Sequence, residues 1–188
     1  MSKEDFKDDS TSVTAITQET DIDQLCQKDN ALLFSISMTL LQIVTENHSK
    51  PSYKSKLKSQ SKQIFTSKAL PKISLSDYLH RIIKYTKIED STVIMALIYI
   101  DRICRKRKIM LTEYNVYRIL FSSIMASIKY NEDKFYSNIF YAKIGGVEVK
   151  QLNLLEYEFL IGINFDLYVD TKMYQKYEMT LIKNSFSK

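Results

Sequence analysis

From residue 31 onward, apolar residues recur at spacings of three and four, the period that lays side chains along one face of an α-helix. In "NALLFSISMTLLQIVTEN", Leu33, Ile36, Leu40, Ile43 and Val44 share such a face behind Asn30 as an N-cap, which predicts a helix to about Glu46. "SDYLHRIIKYT" carries a broad stripe of Tyr78, Leu79, Ile82, Ile83 and Tyr85, with Ser74 or Ser76 placed to cap it. "DSTVIMALIYIDRICRKRK", capped by Asp90 or Ser91, and "TEYNVYRILFSSIMASIKY", capped by Thr112, are apolar around most of their circumference. Helices of that kind are surrounded by other helices. A short helix over about 137–144 should stop at Gly145 and Gly146, which adopt a left-handed cap without Cβ strain. A last long helix is expected from about Glu148 to Ile163.

Two stretches break the period. Residues 1–30 hold eight acids against three lysines and no sustained apolar face, so they are expected to form a disordered acidic tail. Residues 49–72 hold seven lysines, no acid, and both prolines of the chain, Pro51 and Pro71, and they read as a long solvated loop. The expected layout is a tail (1–30), an accessory helix (31–48), the lysine-rich loop (49–72), a helical domain (73–168) and a short C-terminal extension (169–188).

Composition narrows the class further. Three glycines and two prolines in 188 residues are too few for the turns of an all-β or α/β protein, so the fold class is all-α. Cys26 and Cys104 are the two cysteines, and Cys104 falls inside an apolar helical run, where a buried free thiol is expected. No apolar run is long enough to span a bilayer and no leader pattern opens the chain, which points to an intracellular protein, nuclear or cytoplasmic.

Catalytic chemistry is hard to find. His48 and His80 are the two histidines, and neither has a cysteine or carboxylate at ligand spacing, so no metal site is expected. Gly145 and Gly146 lack the strand and the following Lys-Ser/Thr of a phosphate-cradling loop. No catalytic residue, cofactor or small-molecule substrate is expected. Two charges stand out instead. Lys129 arrives directly after an apolar helical run, and Glu156 interrupts the apolar spacing of Leu152, Leu160 and Ile163. A charge on a face that ought to be buried costs several kcal/mol unless it is paired.

"YIDRI", "KYNEDKFYSNIFYAKIGGV" and "LNLLEYEFL", in that order and spacing and preceded by "ISLSDYLHRIIKYT", resemble a cyclin box of the P-type, phosphate-system-like branch over about residues 74–168. The resemblance implies a five-helix cyclin box preceded by an accessory N-terminal helix. It also implies a regulatory subunit that binds and activates a cyclin-dependent-type Ser/Thr protein kinase and has no catalytic residues of its own. By that resemblance Lys129 and Glu156 are the family's paired charges facing the kinase, and an internal bridge between them is the plainer alternative. Leu160, Phe165 and Leu167 would press on the kinase, with ordinary core packing as their alternative. Asp101 would tie its helix to the start of the first box helix, unless it only pairs with Arg105 one turn on. Departures matter too: "PKISLSD" replaces the substrate-docking motif of cell-cycle cyclins, with Lys72 where that motif's arginine would align, and residues 168–188 are too few for a second box. The competing reading is a cyclin-like-box protein of the transcription machinery, since a sequence pI of about 9.0, "RKRK" at 105–108 and the lysine-rich stretch would suit nucleic acid. That reading is disfavoured, because the aromatics sit at core spacings and cations at a helix C-terminus suit its dipole.

Overall fold

A computed structural model describes residues 31–186; the expected acidic tail, the Asn30 cap and Cys26 lie outside the described residues. The described residues form eight helices and no strand: α1 (31–48), α2 (Tyr53–Gln60), α3 (Leu75–Thr86), α4 (Asp90–Arg107), α5 (Val116–Asn131), α6 (Asn138–Gly145), α7 (Val149–Gly162) and α8 (Thr171–Phe186).

α4 and α5 pack against each other at the centre, as their all-round apolar surfaces require, and α7 closes over α5. Tyr99, Phe121 and Phe159, one from each of these helices, are among the largest fully buried side chains. Small hydroxyl residues line the contact without leaving buried donors unmet. Ser127 Oγ donates to Thr92 O at 2.6 Å, and Thr92 Oγ1 donates to Glu132 Oε1 at 2.6 Å, tying the start of α4 to the end of α5.

Ser74 caps α3, its Oγ accepting from Asp77 N–H at 3.0 Å, and the left-handed Lys87 ends that helix. Tyr78, Leu79 and Ile82 of the stripe are buried, together with Leu75, whereas Ile83 is half-buried and Tyr85 exposed. α6 stops at Gly146 in the left-handed region (φ +66°). Gly145 is there for a different reason, since a Cβ on it would lie 2.3 Å from the Phe121 ring. α5 begins at Val116 and not at Thr112. Asn115 Oδ1 accepts from Thr112 N–H at 2.8 Å and its Nδ2 donates to Met110 O at 3.0 Å, holding an extra turn ahead of the helix.

The lysine-rich stretch requires a correction. Within residues 49–72 lies helix α2, whose Tyr53 and Gln60, two turns apart, face inward while most of its lysines face solvent. Tyr53 OH donates to Glu113 Oε1 at 2.6 Å. The Gln60 amide pairs with the Met110 backbone in both directions, donating to its carbonyl at 2.9 Å and accepting from its N–H at 2.8 Å. Phe65 then enters the core and meets Phe159 edge-on at 6.3 Å. These partners lie 50 or more residues away, so the local lysine pattern could not reveal them.

The two terminal helices also dock. Leu33, Ile36, Leu40 and Val44 of α1 are buried, but Ile43 is exposed. α1 is fixed at each end, by Ser35 Oγ on Leu181 O (2.9 Å) and Asn47 Nδ2 on Leu111 O (3.0 Å). The C-terminal extension is largely helix α8, packed on α4. Cys104 is a free thiol, half-buried on α4, and desolvation pushes its pKa up to about 12.

Candidate functional site at the ends of α5, α6 and α7

The last turn of α5, the start of α6 and the middle of α7 converge on one polar cluster. Lys129 Nζ lies 2.6 Å from Glu156 Oε1 and donates to Asn138 Oδ1 at 2.8 Å. Asn138 Nδ2 in turn donates to Glu156 Oε2 at 2.9 Å and to Asn153 Oδ1 at 2.7 Å. The two charges singled out in the sequence are therefore paired with each other inside the chain, with Asn138 as a second bridge. Their side chains retain 27% and 14% exposure, so the cluster is desolvated on one side and open on the other.

Coordination capacity decides what such a cluster can still do. An ammonium has three N–H donors, and two of those on Lys129 are taken. A carboxylate offers about four lone-pair sites, and those of Glu156 accept from Lys129 and Asn138. Each charge has room for a further contact. A large apolar residue follows each of the three polar ones: Tyr130 (50% exposed) after Lys129, Ile139 (60%) after Asn138 and Tyr157 (58%) after Glu156. Exposed apolar surface around a polar centre is the composition of a protein interface.

Leu160 lies one turn beyond Glu156 on α7, half-buried against the core. After α7 the chain makes a turn through Asn164 and Phe165, both left-handed, and Phe165 is left 63% exposed. Leu167 is instead half-buried against the core. This turn is held from α4. Arg102 donates to the carbonyls of Asp166 and Tyr168, each at 2.6 Å, Lys106 to Ile163 O at 2.7 Å, and Tyr99 OH to Leu167 O at 2.7 Å. Lys106 also hydrogen-bonds the Asp166 carboxylate at 2.8 Å and, with Arg102 nearby, holds its pKa below the ordinary value. The "RKRK" run is thus partly spent on internal contacts, Lys106 on this turn and Arg105 on Asp101.

The contacts of Asp101 differ from those the resemblance implies. Its Oδ2 accepts from Arg105 one turn on and from Tyr177 OH, so it joins α4 to α8 and not to the start of α3. Asn138 and Asn153 were missed by sequence reasoning. Polar residues in a first helical turn and at a solvent-facing helix position are commonplace, and no spacing rule connects Asn138 to Lys129.

A family model described as Cyclin matches residues 20–167. The chain belongs to the cyclin family. Its relatives include Cyclin-U4-1 of Arabidopsis thaliana, 36% identical over 132 residues that make up 66% of this chain and 65% of that one. Cyclin-U2-2 of the same plant is 42% identical over 118 residues, 61% of this chain and 50% of the relative. Cyclin-P3-1 of Oryza sativa subsp. japonica is 33% identical over 125 residues, 66% and 53%. The cyclin therefore resembles the U-type and P-type branch, and it spans between half and two thirds of the length of these relatives. No helix among the described residues is long and apolar enough to cross a membrane.

Proposed function

We propose that this cyclin binds and activates a cyclin-dependent-type Ser/Thr protein kinase, using the face that carries Lys129, Glu156, Leu160, Phe165 and Leu167. The observation that carries the reading is the Lys129–Asn138–Glu156 cluster, half-desolvated, with spare hydrogen-bonding capacity and exposed Tyr130, Ile139 and Tyr157 around it. The cyclin contributes no chemistry; it works inside the cell by binding the kinase's active arrangement better than its inactive one, which shifts the population toward pairing of the kinase's catalytic Lys and Glu. Leu167 acts chiefly by fixing the turn that presents Phe165.

The test uses recombinant cyclin-dependent kinases and Lys129→Glu, Glu156→Lys and the double swap. Each single reversal should weaken kinase binding by about 2–5 kcal/mol, because it leaves a mismatched charge in a desolvated contact. The double swap rebuilds the internal pair and should restore the melting temperature, while contacts to the kinase stay mismatched. Full recovery of kinase activation by the double swap would leave Lys129 and Glu156 as structural residues only.

A further inference from the structure

A second site lies at the other end of α5. Between α3, the start of α5 and the α6–α7 junction is a cavity of about 240 Å³, far larger than the about 10–15 Å³ that one water needs. Its walls are apolar and aromatic, with Tyr78, Tyr117, Phe121 and Leu155 among them, and two guanidinium groups face it, Arg81 from α3 and Arg118 from α5. Among the described residues no Asp or Glu lines it, and neither arginine forms an ion pair with a described residue.

What holds the two cations shows what they lack. Arg81 stacks over the Tyr78 ring at 5.1 Å, and its buried Nε has no hydrogen-bond partner. Arg118 gives Nη1 to the carbonyls of Ile64 and Thr66, at 2.9 and 3.2 Å, which positions the group and leaves its charge unmatched. Burial raises the Tyr78 pKa while both arginines act to lower it, which places the two charges at one phenol. Two of the lining hydroxyls are occupied: Tyr78 OH donates to Gly145 O at 3.3 Å and Tyr117 OH to Ile73 O at 2.8 Å. Two guanidiniums without a carboxylate, one with an unmet buried N–H, form a half-built ion pair. Planar N–H forks match the oxygens of a phosphoryl group two at a time, which an ammonium cannot do.

We propose that Arg81 and Arg118 form a binding site for a phosphoryl group, presented by a phosphorylated side chain of a peptide or as free inorganic phosphate. The site lies about 16 Å along α5 from Lys129, at about 1.5 Å of rise per residue, so it stands apart from the kinase-facing cluster and its test does not depend on that reading. Exposed Leu70, beside the lining residue Pro71, offers apolar surface to a peptide carrying the group.

The full chain is titrated calorimetrically with three probes: inorganic phosphate, a short alanine-based peptide bearing one phosphoserine, and the same peptide unphosphorylated. Tighter binding of the phosphopeptide than of its unphosphorylated form, by about tenfold or more, supports the site with a phosphorylated side chain as the source. Equal binding of phosphate and phosphopeptide supports it with the free ion as the source. In either case Arg81→Met, which keeps the stem packed on Tyr78, should weaken the phosphoryl probe by about tenfold, and Arg118→Lys, which keeps charge but loses the fork, by less. Thermal melting checks each variant's fold, and if Arg81→Met does not fold, Arg81→Lys takes its place with the same expected direction. No binding of either phosphoryl probe at millimolar concentration, or binding unchanged in a folded Arg81 variant, overturns the assignment.

Discussion

α5 carries a cation at each end, and the two are satisfied in opposite ways. At its C-terminal end Lys129 meets a carboxylate at 2.6 Å and an amide at 2.8 Å, so its charge is matched and the region is half-open to solvent. Near its N-terminal end Arg118 meets carbonyls, Arg81 lies against the same cavity, and the surroundings are aromatic rings packed edge to face. One end is specified by charge and tolerates shape change; the other is specified by shape and tolerates unmatched charge. Substitutions that change volume should therefore hurt most at the arginine end, and substitutions that change charge should register at the lysine end.

The largest expected effect is Gly145→Ala. The new Cβ would sit 2.3–2.9 Å from three atoms of the Phe121 ring, a side chain 1% exposed that meets Tyr78 edge-on. Overpacking of this kind costs about 1–3 kcal/mol, at the upper end for contacts this short, against the about 1 kcal/mol that Ala gains over Gly in a helix. Chemical denaturation measures it, and a loss under about 1 kcal/mol would mean that the arginine end has room to relax.

Gln60→Ala comes next, because the lysine-rich segment is tied to the arginine end through its backbone. Removing the Gln60 amide orphans Met110 N–H, while Met110 O keeps Asn115 Nδ2, so one half-buried donor is left unmet at about 2 kcal/mol. The same experiment on Tyr53→Phe should cost about 1 kcal/mol, the loss of one hydrogen bond to Glu113.

The lysine end should respond more mildly. Glu156→Gln keeps the shape and removes the charge, and Lys129 retains Asn138, so about 1 kcal/mol of stability should be lost. In a double-mutant cycle with Lys129→Met the coupling should be about 0.5–1 kcal/mol and fall with added salt, since the pair is partly solvated. Coupling of zero would remove the distinction between the two ends.

How legible these features were from sequence follows from the range of the interactions. Helices α3 to α7 could be read because their apolar spacing, the Ser74 cap and the Gly146 stop are all local. The Lys129–Glu156 pair could be read as two charges out of place, though Asn138, which joins them, could not. α2 was hidden because its two inward residues, Tyr53 and Gln60, are polar and separated by lysines, and their partners Glu113 and Met110 are supplied by the turn ahead of α5. The Asp101–Tyr177 contact to α8 and the Arg81–Arg118 cavity escaped for the same reason: each joins ordinary residues from distant parts of the chain.

The smallest effect separates the fold of residues 49–72 from their charge. Lys54, Lys58 and Lys62 are exposed, and Lys56 reaches only Lys108 O at 3.5 Å, whereas Tyr53, Gln60 and Phe65 are buried. Replacing Lys54, Lys56, Lys58 and Lys62 with glutamine removes four of seven cations and touches none of the anchors. Surface substitutions of that kind stay within about 0.5 kcal/mol, and here relief of like-charge repulsion opposes any loss. Circular dichroism should keep its helical signal and the melting temperature should stay near that of the unaltered chain, in contrast to Gln60→Ala. A quartet variant as destabilised as Gln60→Ala would show that the lysines hold α2 in place through their charge, and the arginine end would then no longer be the region specified by shape alone.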